Sequence, residues 1–169
     1  MWKYRGQQRP DFAVEPGPGQ ESVWDYPRPP ALVPASAHVE IRAGNTAIAE
    51  SDNAIRVLET ASPPTWYVPP DDVQWQRLVP AAGRTWCEWK GEASYWALAE
   101  FPDVAIGWTY PEPLPAFELI RGYLSVYPGR IECFVDGERV RAQAGAFYGG
   151  WVTDEIVGPF KGEHGTGGW

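Results

Sequence analysis

The chain is poor in the residues that build metal sites and disulfides. It has two cysteines, Cys87 and Cys133, and two histidines, His38 and His164. These residues lack the paired CxxC and HxxxH spacing that fixes zinc ligands locally, so we expect no metal and no cofactor. A disulfide is not expected either, because thiols stay reduced in the cytosol.

Long apolar runs are also missing. No stretch approaches the roughly 18 apolar residues of a transmembrane helix. The opening residues, MWKYRGQQRPDF, lack the apolar core of a signal peptide. We therefore predict a cytoplasmic protein that does not bind membranes. Arginine outnumbers lysine by eleven to three, a bias that is typical of GC-rich bacterial genes.

Basic residues are scarce relative to acidic ones. Fourteen Lys and Arg stand against 22 Asp and Glu, which gives a net charge of −8. Such a chain repels the phosphate backbone, so we expect no nucleic-acid partner. Eighteen Gly and 18 Pro exclude a helix bundle. Aromatic residues are abundant, with ten Trp, eight Tyr and six Phe, and this excess favours a pocket or an interface in addition to a core.

The pattern of strands and turns predicts one mainly β domain. We expect short antiparallel strands in a curved sheet or two packed sheets, one short helix, and irregular N- and C-terminal extensions. The predicted divisions are a Pro/Gly-rich leader at 1–37, a core domain at 38–142 and a Gly/aromatic tail at 143–169. The predicted elements are a hairpin at 38–51, strands at 54–59, 84–98 and 104–110, a helix at 114–127 and a hairpin at 131–142.

The segment TWCEWKGEASYW, residues 85–96, is the densest unusual stretch. Gly91 and Glu92 suit a two-residue type II′ turn, which would place Cys87 opposite Trp96. This register predicts one core-like face with Cys87, Trp89, Ser94 and Trp96. It predicts a second, mixed face with Trp86, Glu88, Lys90 and Tyr95.

Three residues are candidates for catalysis, each with a structural alternative. Lys90, one of only three lysines, would anchor an anion or transfer a proton, or its stem would cover a tryptophan while its head pairs with Glu88 or Glu92. Glu59 would be an acid or base, or a loop brace. Cys87 would be a nucleophile near Lys90, or an inert core thiol.

Aromatic residues on neighbouring strands are candidates for ligand binding. Trp108 and Tyr110 project from one face of their strand, where Trp89 and Tyr95 would complete an aromatic box for a planar or cationic ligand. Aromatic residues at this spacing are also typical of a core. The full set of predicted ligand-binding residues is Trp89, Tyr95, Trp108, Tyr110, Tyr67 and Arg56.

The ordered series AIRVLET, PPTWYVPPDDV, TWCEWKGEASYW, AIGWTYPEPLP and GYLSVYPGRIECFVDGE resembles domain-of-unknown-function family 427 over residues 39–138. The leader and tail resemble a longer subgroup of that family. The resemblance implies a compact, mainly β domain but no mechanism. A nucleotidyltransferase label attached to the family has no support here. The chain has no phosphate loop, and it has no paired carboxylates after a Gly-Ser strand. The resemblance marks Glu59, Tyr67, Cys87, Trp89, Lys90, Gly91, Tyr95, Trp108 and Tyr110 as site candidates.

Two functions are compatible with these residues. The first is an aromatic-lined pocket around residues 85–96 that binds a small planar or anionic metabolite, either as an enzyme or as a binding domain. The second is a non-enzymatic interaction or self-assembly module, which could form a homo-oligomer through aromatic tail residues. Those tail residues are Phe147, Tyr148, Trp151 and Phe160.

Overall fold

The computed structural model describes residues 1–169 and is built almost entirely from short strands. The mainly β, single-domain prediction is confirmed. The strands are β1 Glu21–Ser22, β2 Ala31–Pro34, β3 Val39–Ala43, β4 Thr46–Ser51, β5 Ile55–Leu58, β6 Thr65–Tyr67, β7 Leu78–Cys87, β8 Gly91–Leu98, β9 Ala105–Thr109, β10 Ser125–Val126, β11 Glu132–Val135, β12 Glu138–Arg139, β13 Arg141–Ala142, β14 Trp151–Val152 and β15 Ile156–Val157. The 3-10 helices are Val23–Asp25, Pro70–Asp72, Trp75–Arg77 and Pro115–Ile120. No helix combines the length and the apolar character needed to cross a membrane.

The strands form several small sheets. Two have four strands, in the orders β10-β9-β8-β7 and β12-β11-β3-β4, and a third has the order β2-β5-β6. Two-stranded pairs, β1-β15 and β13-β14, complete the set. The strand pairings are antiparallel, as predicted, except the parallel pair β1-β15. The predicted hairpins are present as β3-β4 and β11-β12, because their turn residues favour tight reversals.

Strand β5 lies between β2 and β6, so it is paired with chain that comes before and after it. β2 belongs to the Pro-rich leader, yet it pairs with β5 over all four of its residues. Its proline, Pro34, lies at the last position of an edge strand, where a missing backbone N–H leaves no sheet bond unmade. The leader therefore contributes a strand to the sheet that borders the site.

The predicted helix at 114–127 is much shorter in the structure. A 3-10 helix covers Pro115–Ile120 only, and the chain then extends so that Ser125 pairs with Trp108 of β9. The apolar residues that suggested a helical stripe, Ile120 and Leu124, are buried against strands instead. Beyond Ile120, pairing with β9 therefore replaces the predicted continuation of the helix.

The core has three parts, and the second of them borders the site. The largest lies between the two four-stranded sheets and includes Trp66 stacked on Trp151 of the tail, with ring centroids 5.9 Å apart. The second packs around Tyr67, Trp108 and Tyr110. The third, around Trp24, gathers both chain ends. The tail is thus built into the domain, because Trp151 is fully buried.

Candidate functional site

A cavity of about 430 Å³ opens beside the second part of the core. Its volume lies within the range of small-molecule sites. Its lining is mixed, with aromatic walls and a few charged side chains. The structure brings eight of the nine predicted catalytic and ligand-binding residues to this cavity, namely Glu59, Tyr67, Cys87, Trp89, Lys90, Tyr95, Trp108 and Tyr110.

The walls are held by contacts between aromatic rings. Trp108 packs edge-on to Tyr67, with ring centroids 6.3 Å apart, and its Nε1 donates to the Tyr67 hydroxyl at 3.2 Å. Tyr127 also packs against Trp108, with ring centroids 4.8 Å apart. The Tyr95 hydroxyl shares a hydrogen bond of 2.6 Å with Thr85 Oγ1. These contacts fix the rings before any ligand arrives, which lowers the entropy lost on binding.

The β7-β8 hairpin differs from the predicted one. Cys87 pairs with Gly91, not Trp96, so the loop consists of residues 88–90. Gly91, the first residue of β8, has φ +102°, a backbone conformation that favours glycine. The predicted faces were therefore wrong, because a shift by an odd number of residues turns side chains to the other face. Tyr95 shares the cavity side with Cys87, and Trp96 packs in the largest core.

Lys90 sits at the end of this loop, with its ammonium among rings. Its Nζ is 5.8 Å from the Tyr110 ring centroid and 5.9 Å from that of Phe117, and it forms no salt bridge. The alternative arrangement, pairing with Glu88 or Glu92, is not found. Glu88 accepts a hydrogen bond from Trp2.

The surroundings of Lys90 keep its amine charged. Burial lowers the pKa of Lys90, whereas the Tyr67 phenol, the Cys87 thiol and the Glu59 carboxylate raise it, and the net shift is upward. Burial also raises the pKa of the Tyr67 and Tyr110 phenols. At neutral pH the cavity therefore presents an ammonium and neutral hydroxyl groups, which suit an anionic, hydrogen-bond-accepting ligand.

Glu59 lies in the cavity lining directly after β5. Its Oε1 accepts a hydrogen bond from Arg28 Nε at 3.1 Å, and the Arg28 side chain is almost completely buried. Glu59 therefore has the contacts of a brace. It does not form a salt bridge with Lys90. Its negative charge acts to raise the pKa of Lys90 and of Lys161, although burial lowers the pKa of Lys161 overall.

The central part of the chain, which supplies most of the cavity lining, matches a known family model. Residues 31–137, more than half of the chain, fit the family described as Domain of unknown function (DUF427). The chain belongs to this family. The match confirms the resemblance seen in the sequence and begins at β2, eight residues before the predicted start. No curated protein matches the chain.

Cys87 is the third predicted catalytic residue inside the DUF427 match. Its thiol is free and half-buried, and it lies in the cavity lining with Lys90 and Tyr110. This position gives the thiol access to the cavity. A nucleophilic role for Cys87 stays a prediction.

Arg56, also inside the DUF427 match, is the one predicted ligand-binding residue that lies apart from the cavity. Its guanidinium pairs with Glu21 of β1 and lies over the Trp66 ring, 5.8 Å from the centroid. The alternation along β5 explains this, because Arg56 and its neighbour Val57 point to opposite faces of the strand. Val57 faces the cavity.

Several cavity residues lie outside the DUF427 match, and the sequence analysis did not assign them to the cavity. They are Trp2 from the leader and Gln143, Phe147, Tyr148, Gly149 and Lys161 from the tail. Gly149 is required at its position, since a Cβ there would overlap the Trp108 ring. The rarity of lysine was the one available clue to Lys161.

A group of potential metal ligands lies on the surface, away from the cavity. Ligand atoms of His38, Glu40 and Glu50 lie within 4.8 Å of one another. His38 bonds Asp52 through Nδ1 at 2.7 Å and Glu50 through Nε2 at 3.1 Å. The hydrogen bond to Asp52 raises the His38 pKa despite some desolvation, with further help from Glu50. Surface groups of acidic residues like this one are common without a bound ion, and we assign it no metal.

Proposed function

We propose that the cavity binds a small planar metabolite that carries an anionic group. Lys90 would bind the anionic group, and Trp89, Tyr95 and Trp108 would pack against the planar part. One observation carries the proposal: the Lys90 ammonium lies in an aromatic cavity without a carboxylate partner. An ammonium in these surroundings can form a charge-assisted hydrogen bond with an anionic ligand.

Two features of the lining support a small ligand. The volume of about 430 Å³ suits a molecule of one or two rings. Tyr67 and Tyr110 keep their protons and so can donate to a carboxylate or a phosphate. Glu59 and Cys87 stand beside Lys90 as the groups that would act if the bound molecule is also transformed.

A thermal-shift screen of nucleotides, flavins, pterins, aromatic acids and thiols tests the proposal. A ligand at 100 times its Kd should stabilise the fold by about 2.7 kcal/mol, a rise in Tm of about 5–11 °C for a chain of this length. Lys90→Met should abolish the rise. Lys3→Met is the matched control, because Lys3 is exposed and outside the cavity, and it should keep the full rise.

Comparison of the two variants separates binding from folding. Their Tm values without ligand show whether Lys90→Met is folded. An equal rise in wild-type protein and Lys90→Met would contradict the role of Lys90. A screen without any stabilising anionic compound would contradict the proposed ligand class.

A second candidate function is self-association. Fewer aromatic residues of the tail are exposed for it than the sequence predicted. Of the predicted tail residues, Trp151 is buried in the core and only Phe147 is largely exposed. Trp86 is also exposed, and both side chains lie at the edge of the cavity. These two rings are the observation that favours a contact with a second copy of the chain. Sedimentation of the wild-type protein tests it, and a monomer at all concentrations would remove it.

A further inference from the structure

The cavity contains a second lysine that the family match does not include. Lys161 lies in the C-terminal tail, beyond residues 31–137, and is 6% exposed. Its backbone is fixed by two hydrogen bonds: its N–H donates to the Ala61 carbonyl at 2.7 Å, and its carbonyl accepts from Gln143 Nε2 at 2.5 Å. Two of the three lysines in the chain thus line one cavity.

The Lys161 ammonium is buried without an ion-pair partner. Its Nζ lies 4.1 Å from the Trp2 ring centroid and 5.8 Å from that of Tyr148, and it forms no salt bridge. Burial and the nearby Arg28 charge lower the pKa of Lys161, although Glu59 and Glu88 act to raise it. An anion beside Nζ would relieve this penalty.

Both carboxylates in the lining already have donors. Glu59 accepts from Arg28 at 3.1 Å, and Glu88 accepts from Trp2 Nε1 at 3.0 Å. Neither forms a salt bridge with Lys90 or Lys161. The two ammonium groups therefore lack salt-bridge partners, as does the Glu88 carboxylate, whose donor is a neutral indole.

The two ammonium groups have different neighbours. Lys90 lies beside the Tyr110 and Phe117 rings, whereas Lys161 lies beside the Trp2 and Tyr148 rings. They therefore occupy different parts of the cavity, with aromatic side chains in the remaining lining. A ligand with two acidic groups could pair with both of them.

We propose that Lys161 is a second anion-binding residue and that the cavity selects planar ligands with two acidic groups. This inference rests on the proposed function and names its ligand class. Lys90 would bind one acidic group and Lys161 the other, and the ring between them would lie against the aromatic walls. No covalent step is involved.

Titration calorimetry with three planar acids tests the inference. The probes are benzoate, with one carboxylate, and terephthalate and isophthalate, with two. At pH 7 and low salt the wild-type protein should bind at least one diacid about tenfold or more tighter than benzoate, the gain expected from a second charge-assisted contact. Lys161→Met should reduce that preference to about threefold or less while benzoate affinity is retained.

Control variants keep the test sharp. Lys161→Arg keeps the charge and should keep the preference, and Lys3→Met should behave as wild type. If Lys161→Met does not fold, Lys161→Gln provides the uncharged comparison. Loss of the diacid preference in Lys161→Gln would then be enough to support the inference. An unchanged diacid preference in an uncharged Lys161 variant would overturn it.

The two proposals fail in different ways. Benzoate affinity that is unchanged in Lys90→Met would refute the role of Lys90 in the proposed function. A wild-type protein that binds benzoate and both diacids equally would refute only the second anion-binding residue. Absence of binding by all three acids would overturn the diacid class.

Discussion

Replacement of Arg28 by methionine is expected to destabilise the domain strongly, because one guanidinium holds both chain ends. Arg28 donates to the Tyr4 carbonyl and to the Trp169 carbonyl, each at 3.0 Å. It also donates to the Thr60 carbonyl at 2.9 Å and to Glu59 at 3.1 Å. Methionine approximates the stem of the arginine side chain and has no donor, so these four acceptors would lose their partner.

The size of the effect follows from burial. Removing one partner of a buried ion pair costs about 3–5 kcal/mol. The Arg28 side chain is 1% exposed and that of Glu59 is 24% exposed, so water can reach the carboxylate. We therefore expect the lower limit, about 3 kcal/mol. That loss corresponds to a fall in Tm of about 6–12 °C.

Urea unfolding followed by tryptophan fluorescence measures this change, since urea does not screen charges as guanidinium chloride does. Arg9→Met is the matched control. Arg9 also binds two carboxylates, Glu15 at 2.8 Å and Asp25 at 2.7 Å, but on the surface, where solvent weakens ion pairs. A loss of stability in Arg28→Met no greater than in Arg9→Met would refute the reasoning.

Two further predictions concern the tail and the surface. Trp151→Ala should reduce the free energy of unfolding by about 3–5 kcal/mol, because the indole is fully buried. A loss below about 1 kcal/mol in urea unfolding would show that the tail is not part of the core. His38 has a raised pKa, caused first by its hydrogen bond to Asp52 and also by the charge of Glu50. Its contribution to stability should be complete below its unfolded pKa of about 6.5 and be lost as pH rises through the folded pKa. The Tm difference between wild type and His38→Gln, measured across this range, should therefore shrink with rising pH, and a constant or growing difference would contradict the assignment.

The parts of the fold that local chemistry determines could be predicted from the sequence. The turn at Asp136 and Gly137 specifies the β11-β12 hairpin, and alternation of apolar residues specifies β3 and β4. The β7-β8 register could not be predicted in the same way. Gly91 suits the centre of a two-residue turn and equally the position directly after a three-residue loop. The structure has the three-residue loop, in which the Lys90 carbonyl accepts a hydrogen bond from Leu114 N–H at 3.0 Å.

The residues of the candidate site also differ in how far the local sequence predicts them. Lys90 was recognisable because a rare lysine stands among aromatic residues in one short segment. Lys161 stands among glycines, and nothing near it in the sequence indicates a cavity. Its position depends on a hydrogen bond to Ala61, one hundred residues earlier in the chain. Contacts of this range leave no periodic pattern in a single sequence.

The structure of the candidate site therefore depends on how the two chain ends are held. Arg28 binds the backbone of Tyr4 and Trp169, in the two terminal segments that carry Trp2 and Lys161 to the cavity. Trp2 in turn lies over both cations, with its ring centroid 4.3 Å from the Arg28 guanidinium and 4.1 Å from the Lys161 amine. The proposed binding at Lys90 would use residues of the matched family domain. The proposed binding at Lys161 would require the closed chain ends, so ligand selectivity should depend on their stability.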